Sequence, residues 1–98
     1  MVSWGVGEIV SVTQSEISPE WANTGDSLTR AVTCPSFMEA IDLVGRVALV
    51  AEEMDHHPDM DIRWRTVTFV LSTHSSGTLT ELDYTLARKI DALVVDSN

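Results

Sequence analysis

At Pro58 the hydrophobic period of this chain changes, and that change limits what it can fold into. Upstream, Ser36 followed three residues later by Glu39 makes a capping box, with Pro35 just outside it, as at a helix N-terminus. Phe37, Ile41, Val44, Ala48 and Ala51 then recur at spacings of three and four, and Met38, Val47 and Met54 widen that face. Pro58 bars the helix from continuing far and disfavours helical φ/ψ at His57, so His56 and His57 are expected at or just past its C-terminus. Downstream, Met60 to His74 has the pattern of strand. Val67, Phe69 and Leu71 take one face, and Thr66, Thr68, Val70, Ser72 and His74 the other. A tight turn near Trp64-Arg65 is expected to split the run into a short strand and a longer one.

The flanks complete the pattern. Asn23-Thr24-Gly25-Asp26 is a hairpin turn, and Leu28, Arg30 and Val32 alternate with Thr29, Ala31 and Thr33 as in a half-buried strand. Pro19-Glu20-Trp21 is a turn leading into an extended segment. After Ser75-Ser76-Gly77, Thr80 and Asp83 form a second capping pair, across which Leu79 can staple against Tyr84. Leu82, Leu86, Ile90 and Leu93 supply the apolar stripe of the last helix. Residues 1–19 fit either a short strand around Glu8 to Thr13 or a variable arm, ahead of a domain over residues 20–98. The order strand, strand, helix, strand, strand, helix predicts an α+β fold, a four-stranded antiparallel sheet with helices packed on one face. If the long strand over 66–74 lies outermost, it offers an edge for self-association.

Charge and composition narrow the function. A net charge of −9 argues against nucleic acid and against an anionic membrane surface. No apolar run approaches the roughly 20 residues of a spanning helix, and the N-terminus lacks the pattern of a secretory signal, so a cytoplasmic protein is expected. The single cysteine, Cys34, rules out an internal disulfide and cannot alone build a thiolate metal site.

All three histidines fall between Glu52 and Asp83, each within a few residues of a carboxylate. Histidine titrates near neutral pH and carboxylates orient it, so this is equipment for proton transfer. A histidine after a helix can also simply cap the last carbonyls. Adjacent histidines diverge and the His-Glu-x-x-His spacing is absent, so nothing singles out a zinc site and no metal is expected. Ser72, Ser75 and Ser76 flank His74 without a Gly-x-Ser-x-Gly elbow, which disfavours a hydrolase triad. What remains is cofactor-free acid/base chemistry, in which one imidazole donates a proton and another accepts one. That suits a dehydration.

The segment resembles the pterin-4a-carbinolamine dehydratases, whose pattern is acid-x3-His-His-Pro, an aromatic residue six on, a histidine ten later and a downstream Asp. Here these are Glu52, His56-His57-Pro58, Trp64, His74 and Asp83. Gly77 to Asp83 is similar to the family's lead into its last helix, and Pro19-Glu20-Trp21 to its Pro-Gly-Trp. The resemblance runs from about Trp21 to Leu93. It departs in residues 1–19, which make a poor version of the family's first amphipathic helix, and in the extra Thr78. It implies dehydration of 4a-hydroxytetrahydrobiopterin to quinonoid dihydropterin, in pterin recycling for aromatic amino acid hydroxylases. His56 and His74 would be the acid/base pair, and His57 would bind and orient the pterin. Asp55, Ser72 and Thr73 would line the pocket, Trp21 would cover the ring, and Glu52 and Asp83 would hold the imidazoles. The resemblance also implies a homodimer or homotetramer. The alternative is a non-catalytic binding module of the same fold, a transcription cofactor or an assembly factor.

Overall fold

The structure is a computed structural model and describes residues 12–97, without the side chains of the last three. Four strands, β1 (Ala22–Asn23), β2 (Leu28–Thr33), β3 (Asp59–Arg63) and β4 (Thr66–Leu71), form one antiparallel sheet in the order β1-β2-β4-β3. Helices α1 (Phe37–Met54) and α2 (Glu81–Ser97) pack against each other and against the sheet. The expected fold class holds.

The register explains which face they cover. Leu28, Arg30 and Val32 of β2 lie opposite Leu71, Phe69 and Val67 of β4, and these three β4 residues are fully buried. They meet Leu43 and Val47 of α1 and Leu86 and Ile90 of α2 in one core. Burying each such side chain contributes about 1.5–3 kcal/mol against leaving it in water. Arg30 is the polar intruder on this face, and Asp91 of α2 pairs with it at 2.5 Å. The same carboxylate accepts from the Trp21 indole N–H (2.8 Å) and the Ser18 backbone N–H (2.8 Å). Through it α2 holds the segment leading into the sheet.

Several local expectations hold. Ser36 caps α1, accepting from the Glu39 N–H at 3.1 Å. The hairpin between β3 and β4 turns at Trp64-Arg65, with Trp64 at a φ of 54° and the Arg65 guanidinium 4.7 Å from its ring centroid. Gly25 at a φ of 103° makes the β1–β2 turn.

Other expectations are corrected. The strand over 66–74 ends at Leu71 and lies inside the sheet between β2 and β3, so the free edges belong to β1 and β3. The buried face of α1 is Ala40, Leu43, Val47 and Ala51; Phe37, Met38 and Ile41 stand exposed. In α2 the inward positions include Asp83 and Ala87, while Leu82 is largely exposed. The choice of strand or arm for the N-terminus lies mostly outside the described residues. From Val12 onward the chain makes a short 3-10 turn (Gln14–Glu16), and Ile17 joins the core.

Cys34 is buried, and both burial and the Glu39 carboxylate push its thiol above the ordinary cysteine value. A raised value means less thiolate at a given pH. Thiol–disulfide exchange of the native protein with a small disulfide reagent at pH 8 is therefore expected to run at least about tenfold slower than in denaturant. The sign also means that stability falls as pH rises past the ordinary thiol value toward the folded one. A time course with a chromogenic disulfide reagent, with and without urea, measures the first effect. Equal rates would contradict it.

Candidate active site

The site begins where α1 stops. Asp55 takes the left-handed conformation (φ 53°, ψ 43°), the His56 N–H donates to the Ala51 carbonyl (3.0 Å) and the Asp55 N–H to that of Glu52 (3.2 Å). This reversal satisfies the last carbonyls of the helix at a position where Asp is better tolerated than bulkier residues. It also separates the two histidines ahead of Pro58. His56 is 9% exposed, whereas the His57 side chain stays in solvent.

At the start of α2, Asp83 is fully buried, and three donors satisfy its carboxylate. These are His56 Nε2 at 2.6 Å, the Thr73 hydroxyl at 2.7 Å and the Thr80 N–H at 3.0 Å. A buried carboxylate is tolerable only with such partners. An ionised carboxylate only accepts, so His56 carries a proton on Nε2, and its Nδ1 has no protein partner among the described residues. His57 Nε2 meets Glu52 Oε2 at 2.5 Å, but both groups are open to solvent. That pair orients the ring and adds only about 0–1 kcal/mol to stability.

His74 follows β4 in a turn held at its root. The Thr73 carbonyl accepts from the N–H groups of Ser76 (3.1 Å) and Gly77 (2.9 Å), and Thr73 bridges to Thr78. Gly77 supplies the positive φ of 71° that this turn needs.

These pieces surround one open cleft of about 400 Å³, large enough for a small ring system. Asp55, His56, His57, Pro58 and Asp59 line it from the end of α1, and Ser72, Thr73, His74 and Ser75 from the end of β4, with Leu82 at its margin. All three histidines therefore face a single space, with Asp55, Ser72 and Thr73 beside them. Glu52 and Asp83 each hold a different imidazole.

Trp21 is corrected. It is 4% exposed, belongs to the core and donates to Asp91, and it is not among the residues of the cleft wall. Trp64 stands 72% exposed at the hairpin tip, away from that wall. The sequence marks Asp26 only as part of a hairpin turn and does not single out Ser27 at all. They line a second hollow of about 310 Å³ that shares Ser72, Thr73 and His74 with the first. Pairing of Leu28 with Leu71 brings them there, and only knowledge of which strands pair reveals it. Among the described residues, no group of three or more His, Cys, Asp or Glu side chains is arranged to hold a metal ion. No helix among them is long and apolar enough to cross a membrane.

An antiparallel sheet backed by two helices, with carboxylate-held imidazoles around a cleft at one end, defines a class of small α+β protein equipped for proton transfer. The chain belongs to the pterin 4 alpha carbinolamine dehydratase family, whose sequence model matches residues 8–93. Two relatives carry the name "Putative pterin-4-alpha-carbinolamine dehydratase". The one from Mycobacteroides abscessus is 59% identical over 76 residues, covering 78% of this chain and 81% of the relative. The one from Nocardia farcinica is 60% identical over 75 residues, covering 76% and 79%. A solved structure described as a transcriptional coactivator/pterin dehydratase from Brucella melitensis superimposes with a TM-score of 0.74 at 33% identity, over 78% of this chain and 83% of that one. A pterin dehydratase-like RuBisCO assembly factor of the alpha-carboxysome shares the fold, with a TM-score of 0.66 at 20% identity over 76% and 89%.

Proposed function

We propose that this chain dehydrates a 4a-hydroxytetrahydropterin, such as 4a-hydroxytetrahydrobiopterin, to the quinonoid dihydropterin and water by histidine acid/base catalysis. The observation that carries this reading is the meeting of His56, His57 and His74 around one cleft, two of them backed by carboxylates. His56 is the acid. With Nε2 held by Asp83, it exchanges a proton through Nδ1, and the buried carboxylate is counter-ion to the doubly protonated ring. That proton goes to the 4a-hydroxyl as the C4a–O bond breaks and water leaves. His74 takes the proton from N5 as the C4a–N5 double bond forms. The two rings exchange roles for the opposite stereoisomer. His57, held by Glu52, binds and orients the pterin, with Asp55 and Ser72 beside it.

The purified protein should accelerate dehydration of the 4a-hydroxy substrate well above its spontaneous rate, followed by absorbance at neutral pH. A rate equal to the background would overturn the proposal and favour a binding module of the same fold. A non-catalytic module has no need of three imidazoles around one cleft, two of them held by carboxylates, which is why the enzyme is the reading preferred. We also propose a homodimer or homotetramer, for which β3 rather than β4 offers an open edge. Light scattering on the eluted protein tests this.

A further inference from the structure

We propose that Thr73 is a positioning residue that fixes the spacing between His56 and His74, and is not a hydrogen-bond donor to substrate. Its hydroxyl has one proton, which goes to Asp83 Oδ2 at 2.7 Å. Thr80 Oγ1 lies 2.7 Å away on the other side and so donates to Thr73, while itself accepting from the Leu82 N–H at 3.3 Å. The result is a directed chain, Thr80 to Thr73 to Asp83, ending at the carboxylate that holds His56 Nε2. Thr73 is 8% exposed and its one hydroxyl proton is already committed to Asp83, so although it borders the cleft it has no free donor to offer there.

The backbone of the same residue does the second half of the work. Its carbonyl gathers the Ser76 and Gly77 N–H groups and the Ser76 hydroxyl at 3.2 Å, which closes the turn that begins with His74. His56 arrives from the end of α1 and His74 from the end of β4, 18 positions apart in sequence. No described hydrogen bond joins the two rings directly. Thr73 links them, because one residue grips both the carboxylate behind His56 and the turn that carries His74. A displacement of about 1 Å between a reacting atom and its proton donor can cost on the order of 100-fold in rate.

The catalytic half of this inference rests on the proposed dehydration; the structural half does not. Thr73→Val keeps the shape and removes the hydroxyl. It should lower kcat by about 10- to 100-fold with KM within about twofold. Thr73→Ser, which keeps the hydroxyl, should restore kcat to within about threefold of the parent. The second readout needs no activity. In proton NMR spectra the His56 Nε2–H, assigned by its disappearance in His56→Ala, should be protected from exchange in the parent and in Thr73→Ser, and exchange-broadened in Thr73→Val. An unchanged resonance and an unchanged kcat in a folded Thr73→Val protein would overturn the proposal. So would equal impairment in the Ser and Val variants, which would mark a packing role. If Thr73→Val does not fold, Thr80→Val removes the upstream link, together with the acceptor of the Leu82 N–H, and leaves the Thr73 hydroxyl in place; wild-type exchange of the His56 proton there would count against the chain. A parent protein inactive on the 4a-hydroxy substrate, yet showing the expected NMR pattern, would reject the dehydration and leave the structural coupling standing.

Discussion

His56→Ala is expected to reduce turnover of the 4a-hydroxy substrate by about two to four orders of magnitude, the usual worth of a positioned general acid. The imidazole is the one ring among the three that is both buried and held by a buried carboxylate. Hydroxide is a poor leaving group, so loss of the proton donor falls on the step in which C4a–O breaks. KM should change little, since the proposed mechanism leaves binding and orientation to His57 and the rest of the wall. His57→Ala should show the reverse pattern, with the larger change in KM. Steady-state kinetics corrected for spontaneous dehydration separates the two. An unchanged kcat in His56→Ala would reject its assignment as the acid.

The second large effect is on stability. Asp83→Ala should lower the unfolding free energy by about 3–5 kcal/mol, because it orphans two buried donors and one part-buried donor at up to about 1–3 kcal/mol each. The Thr73 hydroxyl can turn toward Thr80 and recover part of this, which keeps the total below the simple sum. Small domains have only about 5–15 kcal/mol in hand, so the variant should be partly unfolded under mild denaturant. Urea titration should show a much lower midpoint with an unchanged slope. Asp83→Asn keeps the volume but presents an amide where Thr73 and Thr80 also donate, and it should fall between the two. By contrast, Glu52→Ala removes an exposed pair and should leave stability within about 1 kcal/mol of the parent. A midpoint for Asp83→Ala equal to that of Glu52→Ala would show that the buried network contributes nothing.

This contrast could not be read in advance. Glu52 and Asp83 both stood out as acids near histidines, and in sequence Glu52 is the closer to His56. In the fold the end of α1 throws His56 inward to Asp83 and leaves Glu52 with His57. Sequence distance does not set through-space distance once a helix ends in a left-handed residue. Thr80 was visible as half of a capping pair. Its hydroxyl also meets that of Thr73, and its N–H donates to Asp83, so it joins the buried network behind His56.

What the chain alone determined is what depends on near neighbours. The caps at Ser36 and Thr80, the stop at Pro58, the turn at Trp64-Arg65 and the alternation through β4 all arise from contacts within about one turn or one hairpin, so residue types and spacing suffice to specify them. Tertiary packing decided the rest. It put β4 inside the sheet, chose Ala40 and Leu43 over Phe37 and Ile41 as the buried side of α1, and took Trp21 into the core beside Asp91. Those outcomes turn on which distant surfaces bury most apolar area together while leaving no polar group unpaired, and that balance exists only once the chain has closed on itself.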